Sequence, residues 1–289
     1  MKLGFIGIGV MGMPMSLNLM RKSGYPLMVY DLNREAVAAL AAQGAEAAEN
    51  ACQVAGSCDI IFTMLPRDEH VSAVYQEIYE DIRPGQIYVD MSTISPEGSR
   101  RAAALVREKG ADLIDAPVVK SRPAAVDGTL GIYAGGRRET YEAVLPLLRC
   151  MGANIIYLGE NGAGLVMKLC HNMLVAEIQN GVNEALSLAS HAAGIDPKTF
   201  AQAASYGGAQ TFYLDSKADT LQKGDFTTAF ATEYMHKDIM LAKGLCEEAE
   251  LQLEGMELAV KRYDQALKNG WGKEDFSCTY KLFTSNPEE

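Results

Sequence analysis

Short apolar runs alternate with amphipathic stretches through the first half of the chain. The apolar runs are rich in β-branched and aromatic residues and read LGFI, LMVY, DIIFTML, QIYVD and ADLID. The stretches between them have helical spacing and cover residues 33–43, 68–79 and 95–109. Because short, fully apolar strands that alternate with helices are typical of a parallel sheet covered on both faces, the pattern predicts a doubly wound α/β domain of Rossmann type. We expect two further strand candidates, residues 130–134 and 154–158, to extend the same sheet.

The second half of the chain is helical in pattern. Residues 163–193 contain no proline and end at Gly194, so they predict one helix about 45 Å long. Asp196 and Pro197 then have the order of an N-cap and a first helical residue. Further helical patterns cover residues 197–204, 229–250, 255–269 and 275–283. Since no strand pattern follows residue 158, we predict a Rossmann domain at 1–162 and an all-helical domain at 163–289, joined by the long helix.

Length, charge and cysteine usage narrow the class of protein. At roughly 150 residues per domain, 289 residues agree with two domains. The net charge of -11 repels phosphate backbones, so nucleic acid is not an expected partner. The six cysteines are scattered, which is typical of a reducing compartment and favours the cytoplasm. The uncharged run at residues 3–20 holds four glycines and a proline, so it predicts neither a membrane span nor a signal peptide.

A glycine-rich motif follows the first strand. It reads Gly7-Ile8-Gly9-Val10-Met11-Gly12 and directly precedes a helical segment. In such a motif Gly7 permits a tight turn, Gly9 lets a pyrophosphate approach the backbone, and Gly12 lets helix and strand pack closely. Because a helix N-terminus attracts anions, the residues from Gly7 to Gly12, with Val10 and Met11 between the glycines, are a candidate dinucleotide site.

An acidic residue ends the second predicted strand. Asp31 lies nineteen residues after Gly12, where a carboxylate can bond the ribose hydroxyls of NAD. Arg34 could instead hold the 2′-phosphate of NADP, but Asp31 would repel that phosphate. We therefore predict NAD(H), with NADP(H) less favoured. The alternative is a glycine-rich turn beside a surface aspartate.

Ligands of a doubly wound sheet collect at the carboxyl ends of its strands. The pairs that follow the predicted strands are Leu65-Pro66, Ser92-Thr93 and Ala116-Pro117. Ser92 and Thr93 are therefore candidate ligand contacts, although they could also cap turns, and Ser95 before a proline is a candidate helix cap.

A lysine lies in an apolar stretch of the long predicted helix. Lys168 has Leu165, Val166, Met167 and Leu169 as neighbours in sequence, and Asn172 lies four residues later on the same helix face. Desolvation would disfavour the charge of this lysine, so it could exchange a proton with a carbonyl or alcohol oxygen. The alternative is a surface lysine whose stem alone is buried. The four histidines form no HxH or HExxH pattern, so we predict no metal site.

These motifs together resemble the β-hydroxyacid dehydrogenase family. The resemblance runs end to end and rests on residues 7–15, 90–96, 115–118, 128–130, 168–172 and 237–238. It implies that Lys168 donates and accepts the substrate proton and that Asn172 orients the substrate. It also implies that Leu65, Pro66 and Thr93 line the cofactor, that Ser92 lies beside the substrate, and that Lys237 closes over the nicotinamide. The family forms dimers and tetramers, so we expect a homodimer or homotetramer.

The chain departs from the family in the loop that grips the substrate acid group. Where members usually carry Ser-Gly-Gly, this chain has Val119, Lys120 and Ser121, followed by Arg122. Two cations suit a doubly anionic head such as a sulfonate, a phosphonate or a second carboxylate, and the loop most resembles that of sulfolactaldehyde reductases. Alternatively, the two cations face solvent or another subunit.

A second departure is a histidine at position 171, where common members have asparagine. The change favours a polar substrate. We therefore predict an oxidoreductase that interconverts a small anionic hydroxyacid, or hydroxysulfonate, and its semialdehyde. Two alternatives are an imine reductase of the same fold and a catalytically silent NADH-binding protein, and Lys168 counts against both.

Overall fold

The computed structural model of this protein describes residues 1–284 of the chain. They divide into two compact units that meet between Lys168 and Leu169, whereas the boundary expected from the sequence follows residue 162. The end of the predicted second domain, residues 285–289, lies outside the described residues. None of the helices within 1–284 has the length and apolar character needed to cross a membrane.

A six-stranded parallel sheet forms the centre of the first unit. Its strand order is β3-β2-β1-β4-β5-β6. The chain adds strands outward from β1 on one side and then from β4 on the other side, as in dinucleotide-binding folds. The strands are β1 (Leu3–Ile6), β2 (Leu27–Tyr30), β3 (Glu46–Ala47), β4 (Ile60–Thr63), β5 (Ile87–Asp90) and β6 (Asp112–Asp115). All four residues of β1 are buried, because side chains on both faces of this strand are covered. The predicted doubly wound fold class is confirmed.

Helices cover both faces of this sheet. They are α1 (Gly12–Ser23), α2 (Arg34–Ala41), α3 (Ala51–Ser57), α4 (Asp68–Glu77) and α5 (Pro96–Glu108). Phe5 packs into the apolar cluster on one face and Ile6 into the cluster on the other, since successive strand residues point to opposite sides. Ser95 caps α5 by accepting a hydrogen bond from the Gly98 N–H, as its position before Pro96 predicted.

The late strands do not extend the six-stranded sheet, so that prediction was wrong. Instead β7 (Val118–Val119), β8 (Leu130–Ala134) and β9 (Gly152–Tyr157) form a separate three-stranded sheet. β7 runs antiparallel to β8, and β8 runs parallel to β9. Pro117 separates β6 from β7 and has no N–H to donate to a ladder. Local pattern showed that these runs are strands, but it did not show which strand each would pair with.

Four helices have no counterpart in the predicted pattern. They are α3, α6 (Ser121–Asp127), α7 (Arg138–Met151) and α10 (Phe212–Lys223). The helix α10 begins at a local signal, because Thr211 accepts a hydrogen bond from the Leu214 N–H.

The remaining helices follow the predicted pattern closely. They are α8 (Ala163–Ala193), α9 (Pro197–Ala204), α11 (Thr232–Glu248) and α12 (Glu254–Lys268). Asp196 caps α9 by accepting the N–H groups of Lys198 and Thr199. The segment Phe276–Phe283 is a 3₁₀ helix rather than the expected α-helix. At its start the Cys278 N–H donates to the Asp275 carbonyl at 2.8 Å, and this spacing of three residues is that of a 3₁₀ helix.

Candidate active site

The carboxyl ends of five strands of the large sheet lie side by side. Ile6 pairs in register with Tyr30 of β2 and Thr63 of β4, and Thr63 pairs with Asp90, which pairs with Asp115. The residues that directly follow these strand ends therefore lie along one edge. This edge gathers the glycine motif, Asp31, Leu65 and Ser92, as the sequence predicted.

Two glycines of the motif are required by packing within the protein. Gly7 has a φ of 97°, in the left-handed region that favours glycine. A Cβ at Gly12 would lie 1.9 Å from the Gly7 carbonyl oxygen, so helix α1 can approach the turn only without a side chain there. These two positions would need glycine even if no ligand were bound.

Gly9 differs from the other two glycines because its surroundings are open. A Cβ built at Gly9 would meet no atom of residues 1–284 within 4 Å. Val10 beside it is 66% exposed, and Met11, at the N-cap position of α1, makes no side-chain cap. The space at Gly9 is what a pyrophosphate needs for close contact with the backbone, so the residues present fit a bound dinucleotide.

Asp31 holds the glycine turn to the end of β2. Its Oδ2 accepts the Ile8 N–H at 2.5 Å and its Oδ1 accepts the Asn33 N–H at 2.7 Å. Each carboxylate oxygen has a second lone pair, so these bonds leave acceptor capacity for ribose hydroxyls.

The guanidinium of Arg34 is used inside the protein. It donates to the Ala48 carbonyl at 3.2 Å and to the Glu49 carbonyl at 2.7 Å, and it lies 5.2 Å from the centre of the Tyr30 ring. Because these partners use donors of the guanidinium, fewer remain for a 2′-phosphate, which agrees with NAD(H) as the favoured cofactor over NADP(H).

A buried hydroxyl joins the loops that follow β4 and β5. Ser92 is fully buried; its Oγ accepts the Leu65 N–H at 2.9 Å and donates to Asp90 Oδ1 at 2.6 Å. Burial raises the pKa of the Asp90 carboxyl, although hydrogen bonds from Ser92 and Thr63 oppose that shift. These two bonds show that Ser92 links the Leu65 backbone to Asp90. Its contact with a substrate stays a prediction. Among its neighbours, Thr93 is partly exposed and Pro66 is exposed.

A second link between the same loops escaped the sequence analysis. The Asp68 carboxylate accepts the Ser95 N–H at 3.0 Å and also the Ser95 hydroxyl. Asp68 begins α4, and an acidic residue at a helix start was the only sequence signal that could have pointed to it. The two links fix the loop that carries Leu65 and Pro66.

The loop expected to grip the substrate has an unusual backbone. Lys120 has a φ of 85° and Ser121 a φ of 60°, so both adopt the left-handed region at the positions where the family usually has glycines. Val119 is buried, whereas Lys120 and Arg122 are exposed. Within residues 1–284 neither cation has an ion-pair partner, so both charges remain available to an anion.

Lys168 and Asn172 are both buried on one face of α8. Lys168 is 7% exposed and Asn172 is 5% exposed, which is unusual for a lysine. The Asn172 side-chain amide donates from Nδ2 to Asp238 Oδ2 at 2.6 Å. The other oxygen of Asp238 lies 3.1 Å from the Lys237 ammonium. Asp238 therefore joins Asn172 and Lys237, two predicted site residues, and the sequence analysis had noted it only as part of a motif.

Comparison with known proteins covers the whole chain. Residues 2–159 match the family model for the NAD binding domain of 6-phosphogluconate dehydrogenase, and residues 162–283 match that for the NAD-binding of NADP-dependent 3-hydroxyisobutyrate dehydrogenase. The 2-(hydroxymethyl)glutarate dehydrogenase of Eubacterium barkeri is 34% identical over 98% of this chain and 94% of its own. The chain belongs to the β-hydroxyacid dehydrogenase family. The NAD-dependent L-serine dehydrogenase of Pseudomonas aeruginosa is 35% identical over 98% of this chain and 97% of its own.

The fold is also similar to that of solved structures from this family. The 3-hydroxyisobutyrate dehydrogenase of Mycobacterium tuberculosis, solved with L-serine, superimposes with a TM-score of 0.91 at 27% identity, over 98% of this chain and 99% of the other. An imine reductase of Myxococcus stipitatus is 21% identical with a TM-score of 0.65 over 98% of this chain and 99% of its own; it shares the fold alone. The predictions of an NAD-dependent oxidoreductase and of NAD(H) as its cofactor are confirmed.

The structure brings the predicted site residues of this β-hydroxyacid dehydrogenase into separate groups. The glycine motif joins Asp31, Leu65 joins Ser92, and Asn172 joins Lys237. The roles of the individual residues remain predictions.

Proposed function

We propose that this β-hydroxyacid dehydrogenase interconverts a small, doubly anionic hydroxyacid or hydroxysulfonate with its semialdehyde. The observation that carries the proposal is the burial of Lys168 and Asn172 on one face of α8. Burial of an ammonium group costs free energy, and hydroxyacid oxidation needs a group that exchanges one proton with the substrate oxygen.

Lys168 handles the proton in both directions. During reduction its ammonium group donates a proton to the carbonyl oxygen as the carbonyl carbon gains a hydride, so the product is a neutral alcohol group. During oxidation the neutral amine takes the hydroxyl proton back. When bound, the nicotinamide supplies or accepts the hydride.

Asn172 orients the substrate, and Asp238 orients Asn172. Because the Nδ2 group of Asn172 donates to Asp238, the amide cannot turn freely about its last torsion. A fixed amide places its hydrogen-bonding atoms before the substrate arrives, which lowers the entropic cost of binding. The Lys237 ammonium shares Asp238, and we propose that it closes the site over the nicotinamide.

The loops after β4 and β5 support the cofactor. Leu65 and Pro66 line the nicotinamide side, and Thr93, whose side chain is partly exposed, makes the ligand contact beside Ser92. When the cofactor is bound, the Gly9 backbone would contact the pyrophosphate, and the Asp31 carboxylate would accept hydrogen bonds from the ribose hydroxyls.

The cations of the substrate loop favour a head group with two negative charges or a sulfonate. Lys120 and Arg122 are exposed, and Val119 removes the family's serine hydroxyl. One relative is named for a glutarate, which is a dicarboxylic acid, and this name supports a second carboxylate. A sulfonate fits the same cations, as in sulfolactaldehyde reductases. Arg can bind either oxyanion in a bidentate manner, and Lys adds a point charge.

The test is a substrate panel with NADH and NADPH that contains monocarboxylic, dicarboxylic and sulfonated semialdehydes, together with cyclic imines. We expect turnover with NADH of a dicarboxylic or sulfonated semialdehyde, and Lys168→Ala should lower kcat at least 1000-fold with unchanged NADH affinity. Lys120→Ala and Arg122→Ala should each raise KM about tenfold or more, as expected for a charge-assisted bond of about 1.5 kcal/mol.

Lys223→Ala, which removes an exposed lysine at the end of α10 in the other unit, is the control for loss of charge. Normal turnover by Lys168→Ala would refute the proton role. Unchanged KM in both loop variants would refute the doubly anionic substrate. Reduction of cyclic imines alone would favour the imine reductase alternative, and NADH binding without any turnover would favour a silent binding protein.

We also propose that the enzyme is a cytoplasmic homodimer or homotetramer. All six cysteines are free thiols, as expected in a reducing compartment. Leu174 and Leu188 on α8 are 56% and 71% exposed, and a second copy would cover such apolar groups. Light scattering after size exclusion tests the assembly, and a monomer at micromolar concentration would refute it.

A further inference from the structure

A buried carboxyl group outside the proposed chemistry lies at the end of β6. Asp115 has no exposed surface. Its Oδ1 accepts the Gly162 N–H at 2.7 Å, and its Oδ2 accepts the Leu165 N–H at 3.0 Å. Both oxygens therefore accept N–H groups at the start of α8, where the first N–H groups of a helix have no carbonyl acceptor within the helix.

The contact between Asp115 and α8 leaves no room for another side chain. A Cβ at Gly164 would lie 2.8 Å from Asp115 Oδ2 and 2.4 Å from the Tyr133 carbonyl oxygen. A Cβ at Gly135 would lie 2.8 Å from Asp115 Oδ1. The backbones of Asp115 and Gly135 also exchange hydrogen bonds of 2.9 and 2.8 Å. The first turn of α8 is thus packed directly on the carboxylate, and a small change at Asp115 must move it.

Lys168 lies three residues after Leu165, which is about 4.5 Å further along the helix axis. Because a helix transmits the position of its first turn to the next, the bond to Leu165 sets where the lysine side chain begins. We infer that Asp115 is a positioning residue, whose carboxylate anchors the first turn of α8 to β6 and thereby places the Lys168 ammonium. This inference rests on the proposed role of Lys168.

The charge of Asp115 decides how well it can anchor the helix. As a carboxylate it accepts both N–H groups, whereas as an acid one of its oxygens carries a proton that faces an N–H donor. Burial raises the pKa of Asp115 to about 6, more than its backbone hydrogen bonds lower it. The anchor is therefore complete above about pH 6 and weakened below it.

Several ionisable residues lie on the elements packed around this carboxyl. They are Asp90 on β5, Tyr133 on β8, Glu160 before α8, Arg100 on α5 and Lys168 on α8; the nearest atoms of Tyr133 and Glu160 are backbone carbonyl oxygens. Asp90 is the paired residue on the neighbouring strand, and its charge also raises the pKa of Asp115. In the reducing direction the proposed role needs the ammonium form of Lys168, which a low pH does not remove. A fall of kcat at low pH that is absent from Asp115→Asn then reports on the anchor.

The experiment measures kcat for aldehyde reduction from pH 5 to 8 in the wild-type holoenzyme, Asp115→Asn, Asp275→Asn and Lys168→Ala. Asp275 is the control for loss of a buried carboxylate, because it accepts backbone N–H groups from Ala229 and Phe230 and also pairs with Lys217 at 2.8 Å. In the wild type, kcat should fall as the pH drops through about 6. Asp115→Asn should lower kcat at pH 7.5 by 10- to 100-fold, as a misplacement near 1 Å does. It should also lose the fall at low pH, while the Kd for NADH changes less than twofold.

Three results separate this inference from the proposed function. If Lys168→Ala is inactive while Asp115→Asn lowers kcat no more than Asp275→Asn does, the positioning role is refuted and the proposed function stands. If Lys168→Ala is fully active, the proposed function itself fails. Should Asp115→Asn not fold, Gly164→Ala is the second variant, because its Cβ would lie 2.8 Å from Asp115 Oδ2 and must move the first turn of α8. It should lower kcat about tenfold or more at an unchanged Kd for NADH, and a kcat within about twofold of the wild type would overturn the inference.

Discussion

Gly9→Ala separates a glycine required by a ligand from glycines required by the fold. Gly9 has a φ outside the left-handed region, and a Cβ there would meet no atom of residues 1–284 within 4 Å. Alanine in a compatible backbone conformation stabilises a protein by about 0.4–1 kcal/mol, because it restricts the unfolded chain. For a protein of this size that corresponds to a rise in Tm of about 1–3 °C.

The same substitution should weaken cofactor binding. The pyrophosphate is expected to contact the backbone at Gly9, and a methyl group would occupy part of that space. We expect the Kd for NADH to rise at least tenfold, or about 1.4 kcal/mol. Isothermal titration calorimetry measures this Kd, and thermal unfolding without NADH measures the stability of the same sample.

Two further variants complete the experiment. In Gly12→Ala the new Cβ would lie 1.9 Å from the Gly7 carbonyl oxygen, so stability should fall by about 3 kcal/mol, the upper range for overpacking. Gly56→Ala is the control, since a Cβ at Gly56 in α3 would meet only Asp81 Oδ1, at an ordinary contact distance of 3.9 Å, and Gly56 lies outside the glycine motif. It should raise Tm and leave NADH binding unchanged. Normal NADH affinity in Gly9→Ala would refute the close approach of the pyrophosphate.

Two other predictions concern stability. Lys120→Gly should relieve a backbone φ of 85° that costs about 1–2 kcal/mol, whereas the flexibility of glycine costs about 0.5–1 kcal/mol. Urea unfolding should therefore show a net gain in stability of about 0.5 kcal/mol, and the KM for the anionic substrate should rise. A loss of stability would show that the loop is unstrained. The folded-state pKa of Asp115, about 6, lies above its ordinary value of 3.8, because the desolvation penalty on the carboxylate exceeds the gain from its two backbone hydrogen bonds. The contribution of Asp115 to the free energy of unfolding is therefore greatest below about pH 4 and falls as the pH rises through 6, although the carboxylate is the form that accepts both N–H groups. The stability difference between the wild type and Asp115→Asn should accordingly shrink by roughly 2 kcal/mol from pH 4 to 7, and a difference that does not vary with pH would contradict the raised pKa.

Much of the fold was accessible from the sequence because the signals are local. The apolar runs of β1, β4 and β5 and the uninterrupted helical pattern of α8 depend on spacing within each segment. The caps at Ser95 and Asp196 are likewise short-range, since each side chain bonds N–H groups two or three residues ahead. The glycine motif was recognisable for the same reason.

The pairing of the late strands could not be read in this way. Residues 130–134 and 154–158 form strands as expected, but a strand carries the same pattern whichever partner it has. The helix α6 has only seven residues, too few for a clear helical period. The helix α7 was missed because Pro146, a helix breaker, lies inside it.

At the site, the sequence by itself determined which chemical groups are present: an open glycine, an acid after β2, a lysine in an apolar stretch and two cations in a loop. Only the tertiary structure decided how these groups are held. The links from Ser92 to Leu65, from Asp238 to Asn172 and from Asp115 to the start of α8 join residues 27, 66 and 50 positions apart. Hydrogen bonds across such separations form only when packing brings distant segments together, and no local pattern encodes that packing.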